Sequence, residues 1–510
     1  AKGVPSEEEV MVVYLARLLE RPVRWTETRT ENLTGYVHGR AQDQKVTIAG
    51  TRDGDIQAYR LELIQDSGAY PKYGAFLPEF TRQMASGVYD IGRVELEFAS
   101  VVTTTAPICA YRGAGRPEAT AAIERAVDLF AAEIGMDPAE VRRRNLPSPD
   151  AFPFTNGTGT VYDSGEYERA LDVALEAADY AGLRAEQQRR RDAGDVRQLG
   201  IGVCTYVEIT GFGGSEYGEV RLQPDGTVLA VTGSTPIGTG HLTTWAMIVA
   251  DRMGVPIEAI TVFHGDTDRV PSGQLTGGSR SVQIAGSSMG DAADKLIELA
   301  REAAADLLEA APGDIVLDRE RGAFHVAGSP TAARSWAEIA GDAGEPLVGL
   351  SDFAQAGATF PFGTHIAVAE VDTETGHATV ERIIAVDDAG VIINPLLAAG
   401  QIHGGLAQGI AQALLEEFRY DEDGNPQTSN LADYTAISMM EVPMYERSFT
   451  ETSTPRNPLG AKGIGEAGSI GSTPAVQSAV IDALAPFGIR HLDMPLTPER
   501  IWSALQSSGA

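Results

Sequence analysis

Cysteine is scarce in this sequence, and its scarcity limits the redox chemistry that the chain can carry alone. Among 510 residues there are two cysteines, Cys109 and Cys204. An iron–sulfur cluster needs more thiolate ligands than two cysteines supply. The two positions also lack the Cys-x-x-Cys spacing of a structural zinc site. The chain is therefore predicted to hold neither group through cysteine, and the low cysteine content favours a reducing, cytoplasmic location.

Long apolar runs and several common nucleotide and metal motifs are also missing. No run of about 18 or more apolar residues occurs, so no membrane span is predicted, and no signal peptide pattern is visible. The P-loop pattern is absent, and no Gly-x-Gly-x-x-Gly follows a strand with a ribose-binding acid in place, which weakens a simple Rossmann interpretation. The eight histidines form no His-Glu-x-x-His motif, so a zinc hydrolase is not predicted.

Basic residues are outnumbered by acidic ones. The sequence has 40 Lys and Arg against 71 Asp and Glu, which gives a formal net charge of −31. A strongly acidic surface argues against nucleic acid or an anionic membrane as a partner. One local phosphate site, built from backbone N–H groups and a few arginines, stays open.

The chain is long enough for more than one domain, at roughly 100–200 residues per domain. Helical and alternating segments are interspersed, which predicts an α+β fold with mixed sheets. Residues 147–165 are rich in Pro, Gly, Asn, Asp and Ser, and they mark a boundary between domains of residues 1–155 and 156–510. Residues 312–350 are interpreted as a less regular insertion. Residues 366–371 and 382–386 are predicted to be paired strands.

Two helices near the start of the chain are predicted from specific patterns. Ser6 and Glu9 have the spacing of a capping box, and Pro22 ends the helix that follows. A second helix follows the Gly/Arg loop of residues 110–118. The first helix is apolar on a broad face and the second on one face; the residues concerned are Val10, Val13, Leu15, Leu18 and Leu19, and Ile123, Val127, Phe130 and Ile134.

Five glycine-rich segments lie around positions 113, 239, 278, 404 and 465. The segments at 239, 278 and 404 are predicted to begin helices, whose N-termini suit phosphate groups. Each glycine alone is explained by a turn, whereas a large anionic cofactor wrapped by several loops would explain the set. His241 and His403 lie in these segments and are predicted to be caps or hydrogen-bonding groups rather than metal ligands.

Glu466 is the one carboxylate within the run from Gly463 to Gly468. Glycines allow a backbone to approach a bulky group closely. A glutamate held there is placed like a general base beside a bound cofactor, and with no positive neighbour in sequence its pKa would be raised by burial. The alternative is a flexible surface loop with a solvated glutamate.

Several ordered motifs, spread over essentially the whole chain, resemble the large subunit of the molybdenum hydroxylases. This superfamily comprises the xanthine dehydrogenases, aldehyde oxidoreductases and carbon monoxide dehydrogenases. The matching segments are Ala110–Glu118, His264–Asp268, Val386–Gly390, Ile393–Pro395, Gly400–Gly405 and Asn457–Gly468.

The resemblance implies two large domains with a pyranopterin molybdenum cofactor between them, in the cytosine dinucleotide form. The molybdenum is ligated by the pterin dithiolene, so no protein metal ligand is expected. Glu466 matches the family's catalytic glutamate, which takes up a proton as water-derived oxygen is transferred to an electron-poor carbon. The cofactor-binding positions implied are Arg112, Gly113, Ala114, Gly238, Thr239, Gly240, Ser279, Arg280, Ser281, Gln401, Gly463 and Gly465.

The same resemblance implies partners. Electrons leave through iron–sulfur and FAD centres, which this chain is expected to meet on separate subunits in a dimer of heterotrimers. The family's glycine-rich Phe-Gly segment would come just before Ala1 and Lys2, so a preceding polypeptide of the same large subunit is also expected. The substrate is a small molecule, an aldehyde or an N-heteroaromatic compound.

Two departures from the family pattern keep alternatives open. The copper-using carbon monoxide dehydrogenases carry Cys where this chain has Gly113, which weakens that second enzyme interpretation. The family usually has Gly-Gln-Gly at Gly238-Thr239-Gly240, and the missing amide puts one hydrogen bond near the metal in doubt. A non-catalytic cofactor-binding or scaffold subunit is the third interpretation.

Overall fold

The computed structural model describes residues 6–509 and contains both helices and mixed sheets, which confirms the α+β prediction. The helices are α1 Glu7–Leu19, α2 Arg29–Gly35, α3 Leu77–Gln83, α4 Arg116–Ile134, α5 Pro138–Arg144, α6 Tyr167–Ala178, α7 Tyr180–Ala193, α8 His241–Met253, α9 Ser281–Leu307, α10 Trp336–Asp342, α11 Pro395–Leu414, α12 Ala467–Leu484 and α13 Pro498–Ser508. The strands are β1 Gln42–Gly50, β2 Ile56–Asp66, β3 Arg93–Val101, β4 Phe154–Thr155, β5 Val161–Tyr162, β6 Arg197–Val207, β7 Ser215–Leu222, β8 Val228–Thr232, β9 Ile260–His264, β10 Ile315–Asp318, β11 Ala323–Val326, β12 Ser329–Ser335, β13 Val348–Ala354, β14 Phe362–Asp372, β15 Ala378–Asp388 and β16 Tyr445–Thr450.

The N-terminal sheet has the order β1-β2-β3, with β1 antiparallel and β3 parallel to the central strand. One face of β2 lies in the core, because Tyr59, Leu61 and Leu63 are buried and alternate with exposed or half-buried residues along the strand. The apolar face of α4 lies in the same core, as its spacing predicted. The start of α4 is thereby fixed against a rigid sheet, and this helix start later contributes to the site.

The central sheet has the order β16-β15-β14-β6 and carries α12 on one face. The paired strands predicted from residues 366–371 and 382–386 are confirmed, since Ile366 lies opposite Ile384 in the antiparallel pair of β14 and β15. Helix α12 is buried along almost its whole length, and Gly200 and Gly202 of β6 allow its backbone to lie against the strand. The position of α12 is therefore fixed closely by the sheet and by α11 beside it.

The third large sheet has the order β13-β7-β8-β9 and packs on α8 and α9. Next to it lies a small sheet, β10-β11-β12, followed by α10. The sequence interpretation of residues 312–350 as a less regular insertion was wrong. Its strands are short and joined by tight turns at Gly322 and Gly328, both with positive φ, so the alternation is too brief to recognise in sequence.

Helix α1 begins as predicted, with the reciprocal capping-box bonds of Ser6 and Glu9 at 2.8 and 3.3 Å. None of its residues is buried, however. Its exposed apolar side chains include Val10, Met11, Val13, Tyr14, Leu18 and Leu19. Exposed apolar side chains grouped on one helix are unusual on a protein surface.

The prediction that the segment around Gly404 begins a helix was wrong. Helix α11 starts at Pro395, where the Asn394 side chain accepts a hydrogen bond from the Leu397 N–H at 3.0 Å. Asn at the N-cap and Pro at the first helical position explain this start. Gly404 and Gly405 instead lie within the helix, where a Cβ atom at Gly404 would face Arg112 and one at Gly405 would meet Gly468 and Ser469 of α12.

No helix within residues 6–509 is both long and apolar enough to cross a membrane. The cytoplasmic location stays a prediction. The expectation attached to Ala1 and Lys2 concerns residues outside the described range.

Candidate active site

The site is organised around Glu466, the residue that immediately precedes α12. Its Oε1 atom accepts a hydrogen bond from the Gly113 backbone N–H at 2.9 Å, and its Oε2 atom accepts one from the Ser279 hydroxyl at 2.7 Å. The side chain is 14% exposed. Three segments far apart in sequence thus meet at one carboxylate, and the solvated surface loop considered as the alternative is not what the structure shows.

Two charged residues that the sequence interpretation left without a role complete this cluster. Arg116, the first residue of α4, lies with one guanidinium nitrogen 3.3 Å from Glu466 Oε2 and 3.4 Å from Glu208 Oε1. Glu208 follows β6 and is fully buried, as is nearly all of Arg116. Arg116 stands within the matched Gly/Arg loop. The sequence feature that could have pointed to Glu208 is its place as a lone carboxylate between Val207 and Ile209, at a strand end that is otherwise apolar.

The prediction that burial raises the pKa of Glu466 was wrong. Burial does act in that direction, but the charge of Arg116 and the hydrogen bonds from Glu208, Ser279 and Gly113 lower the pKa below its ordinary value. The partners come from distant segments, so the sequence around Glu466 gave no indication of them. Burial instead raises the pKa of Glu208 well above the ordinary value, and the Glu466 charge adds to that rise.

Arg112 connects the loop of residues 110–118 to α11 and to the loop that carries Glu466. Its guanidinium donates to the Gly465 carbonyl at 2.5 Å, to Gln408 Oε1 at 2.9 Å, and to the Gln401 carbonyl and side-chain oxygen at 2.9 and 3.1 Å. These acceptors are uncharged. Arg112 therefore holds its own loop, α11 and the Glu466 loop together through hydrogen bonds and forms no ion pair with them. Its position beside Gln401 and Gly465 brings together three of the positions that the family resemblance implied.

The backbone of residues 113–115 has a conformation that residues other than glycine rarely adopt. Gly113, Ala114 and Gly115 all have positive φ, of 99°, 36° and 86°. A Cβ atom at Gly113 would lie 2.5 Å from Pro117 Cγ and 3.2 Å from Ile470 Cγ1. This conformation aims the Gly113 N–H at Glu466, and glycine there is required for the geometry of the carboxylate.

The three consecutive positions 279–281 have different surroundings. Ser279 contacts Glu466, whereas Arg280 is turned away into a buried ion pair with Glu216 and donates to the Gly213 carbonyl at 3.3 Å. Ser281, the first residue of α9, lies 3.2 Å from the Ser234 hydroxyl. The Arg280 guanidinium therefore binds Glu216 and Gly213 of the protein itself. If residue 280 contributes to cofactor binding, it would do so through its backbone.

Positions 238–240 lie outside the Glu466 cluster, at the start of α8. The Thr239 hydroxyl lies 2.9 Å from His241 Nδ1, and the His241 ring stacks on Trp245. Burial lowers the pKa of His241 to about 4, so the ring is neutral at pH 7. A Cβ atom at Gly240 would meet the Leu397 side chain of α11, one helical turn before Gln401. The two parts of the site are thus neighbours along the same face of α11.

Three glycines of the site differ in what surrounds them. A Cβ atom at Gly463 would collide with Ser279, and one at Gly465 would lie 3.1 Å from the Ser279 hydroxyl, so both glycines permit close loop packing. A Cβ atom at Gly238 would meet nothing within 4 Å, and its φ is positive. Among residues 6–509, no three His, Cys, Asp or Glu side chains are grouped to hold a metal ion. The expectation that no protein side chain ligates the metal stays a prediction.

Comparison with known proteins supports this chemistry. Models of the molybdopterin cofactor-binding domain match residues 1–146 and 173–443. The carbon monoxide dehydrogenase large chain of Hydrogenophaga pseudoflava is 38% identical over 521 residues, covering 98% of this chain and 65% of the relative. The 6-hydroxypseudooxynicotine dehydrogenase complex subunit gamma of Paenarthrobacter nicotinovorans is 36% identical, covering 99% of this chain and 65% of that relative.

Solved structures are similar over the whole described fold. Reconstituted CO dehydrogenase from Oligotropha carboxidovorans matches with a TM-score of 0.94 at 33% identity, over 100% of this chain and 66% of that one. Quinoline 2-oxidoreductase from Pseudomonas putida 86 matches with a TM-score of 0.92 at 36% identity, over 98% and 66%. The chain spans about 65% of the length of the curated relatives that it matches.

Proposed function

This chain belongs to the molybdopterin-binding large subunits of the molybdenum hydroxylases, and from that premise we propose that it is a catalytic component which oxidises an aldehyde or N-heteroaromatic carbon with oxygen derived from water. The observation that carries the proposal is the Glu466 carboxylate. It is held by Gly113, Ser279 and Arg116, where loops from both halves of the chain converge. A fixed, largely buried carboxylate with a lowered pKa is ionised at neutral pH, which is the state that a general base needs, although the lowered pKa makes it a weaker base than a group with a pKa near 7.

The cofactor would be held by backbone groups and side chains that do not ligate the metal. When bound, the molybdenum cofactor supplies the two-electron redox step and the site of oxygen transfer. The residues proposed to hold it are those that the sequence implied: Arg112, Gly113, Ala114, Gly238, Thr239, Gly240, Ser279, Arg280, Ser281, Gln401, Gly463 and Gly465. Of these, Gln401 has a side-chain NH₂ group that makes no hydrogen bond within residues 6–509. The cytosine dinucleotide form also stays a prediction, which nucleotide analysis of the released cofactor would check.

The protein's chemical contribution is to place and move one proton. The Gly113 N–H and the Ser279 hydroxyl fix both oxygens of Glu466, so its free lone pairs have a defined direction. Arg116 keeps the carboxylate ionised until a proton is delivered to it. Positioning of this kind lowers the barrier because the base needs no reorganisation when the proton arrives.

A carbon monoxide dehydrogenase is the second candidate, and the names of two relatives favour it. Gly113 argues against the copper-using form, because the copper-binding Cys implied by the family would stand here. A side chain at this position would meet Pro117 and Ile470 while keeping a strained positive φ. We therefore expect molybdenum without copper.

Metal analysis combined with a substrate screen tests these candidates. The purified complex is assayed against aldehydes, N-heterocycles and carbon monoxide with an artificial electron acceptor, after molybdenum and copper are quantified. Molybdenum alone, with turnover of an aldehyde or heterocycle, supports the proposal. Copper together with molybdenum indicates the carbon monoxide dehydrogenase, and neither metal indicates a scaffold subunit.

The proposal includes partner subunits that carry iron–sulfur clusters and FAD, in a dimer of heterotrimers. The support is that the two cysteines are buried and cannot hold an electron-transfer cluster. Native purification is expected to recover these subunits together with this chain. Substrate turnover by the chain alone, without an added electron acceptor, would contradict it.

We also propose that a further polypeptide of the same large subunit covers α1. The support is the row of exposed apolar side chains on that helix, of which Val13 is 71% and Leu18 62% exposed. Burial of such a row would contribute on the order of a kcal/mol per side chain. Intact-mass and subunit analysis of the native complex would detect that polypeptide.

A further inference from the structure

Two carboxyl groups, those of Glu208 and Glu466, lie beside one cation, Arg116. The same nitrogen of Arg116 lies 3.4 Å from Glu208 Oε1 and 3.3 Å from Glu466 Oε2. One guanidinium carries one positive charge, so it balances one carboxylate only. Glu208 is completely buried, and a second negative charge there would be both desolvated and repelled by its neighbour.

The other polar groups around the pair do not supply a second balancing contact. The charge of Arg112 acts on both carboxyl groups, but its hydrogen bonds go to the backbone oxygens of Gly465 and Gln401 and to the side-chain oxygens of Gln401 and Gln408. The remaining titratable groups that face the pair are the phenols of Tyr73 and Tyr206. The arrangement therefore suits one ionised and one protonated carboxyl group.

The hydrogen bonds around the two carboxyl groups indicate that Glu208, rather than Glu466, holds the proton. Both Glu466 oxygens already accept bonds from Gly113, Ser279 and Arg116. Glu208 Oε2 is buried and, in an ionised carboxylate, accepts no hydrogen bond. A proton on Glu208 turns that group into a donor, and the Glu466 carboxylate beside the same Arg116 nitrogen is its acceptor in this arrangement. The buried group then gains the partner that it otherwise lacks.

We propose that Glu208 is a positioning residue that holds one proton and donates it in a hydrogen bond to the Glu466 carboxylate, with Arg116 balancing the single negative charge of the pair. The role of this pair in catalysis rests on the proposed function, whereas the shared proton does not. Glu208 sets how readily Glu466 accepts a proton, without itself touching substrate or cofactor.

Infrared difference spectroscopy of the native complex at pH 7 tests the shared proton without any turnover. Glu208→Gln keeps the volume and a hydrogen-bond donor but cannot ionise. The wild type minus Glu208→Gln spectrum is expected to show the carbonyl band of one protonated carboxylic acid per chain. Glu97→Gln, on an exposed part of β3, is the control and changes no such band. Loss of a carboxylate band instead of an acid band would overturn the proposal.

The pH profile of kcat/KM tests the effect on Glu466. Glu208→Leu removes the donor, so the acid limb is expected to move upward by about one pH unit, the size of one lost hydrogen bond to a charged group. Glu208→Gln, which still donates, is expected to leave the limb in place. A purely structural role would lower the rate of both variants without moving the limb. Absence of molybdenum-dependent turnover would refute the proposed function, and the infrared result would still decide the shared proton.

Discussion

At the scale of single residues, Glu466 gives the most direct test of the proposed reaction. Glu466→Gln keeps the size and shape of the side chain but cannot accept a proton. We expect the variant to fold, to retain molybdenum and to lose substrate reduction by at least ~10²-fold, the lower end of what general-base catalysis contributes. The measurement compares molybdenum content with the rate of reduction. Glu97→Gln is the matched control, and an unchanged rate at equal molybdenum content for Glu466→Gln would refute the base assignment.

His241 provides a prediction about pH and stability. Its pKa is about 4 in the folded protein and near 6.5 when unfolded, so the unfolded state takes up a proton first as the pH falls. Its contribution to stability is therefore complete above pH 6.5 and is lost between pH 6.5 and 4, by up to about 3 kcal/mol.

Replacement by phenylalanine isolates this contribution. His241→Phe keeps an aromatic ring beside Trp245 but cannot be protonated. Denaturant unfolding between pH 7 and 4 is expected to show a shallower loss of stability for His241→Phe than for the wild type. The exposed His491→Gln is the control, and equal slopes for wild type and His241→Phe would contradict the burial argument.

Residue patterns alone could find Glu466 but not what surrounds it. Its glycine-rich run is continuous in sequence, so it was predicted. Arg116 and Glu208 act on it from 350 and 258 positions away in the chain, and only the fold brings them to it. The direction of the Glu466 pKa was accordingly predicted wrongly, because charge partners at long sequence separation decide it.

At the scale of secondary-structure elements, the contact between α11 and α12 fixes the position of Glu466. A Cβ atom at Gly405 would lie 2.7 Å from Gly468 Cα and 2.8 Å from the Ser469 nitrogen. Gly405→Ala must push α12 away, and overpacking of this kind costs about 1–3 kcal/mol. We expect lower stability in denaturant unfolding and slower substrate reduction, because the residue before α12 moves with the helix.

Gly400→Ala is the matched control on the same helix. Its added Cβ atom would meet nothing within 4 Å, so alanine is expected to stabilise α11 by up to about 1 kcal/mol. If both substitutions had the same effect, the close helix contact would not be what positions the site.

Some helices and strands could be predicted from the sequence, and others could not. The capping box of α1 and the antiparallel pair β14 and β15 were correct, because each is encoded by a short local pattern. The start of α11 was misplaced, since glycines in a helix that packs closely on another resemble those of a loop. The division into residues 1–155 and 156–510 stays a prediction.

At the scale of the whole molecule, the exposed face of α1 leads to a prediction about assembly. Val13→Asp places a charge where an apolar contact is proposed, and Val13 is 71% exposed. We expect the isolated chain to keep its stability, while recovery of the complete large subunit in native purification falls. Glu8→Lys, on the same helix and also exposed, serves as the control. Unchanged recovery with Val13→Asp would show that α1 is not a contact site.

The contacts of Glu466 have a consequence for the order of events during biosynthesis. Gly113 is 353 residues away from Glu466 along the chain, and Ser279 is 187 residues away. Contacts between such distant positions form slowly, because a long loop must be closed before they give any stability. Glu466 must therefore be synthesised before the loops at Gly113 and Ser279 can meet it. A cofactor that needs all three loops would consequently be bound only after residue 466 has been added to the growing chain.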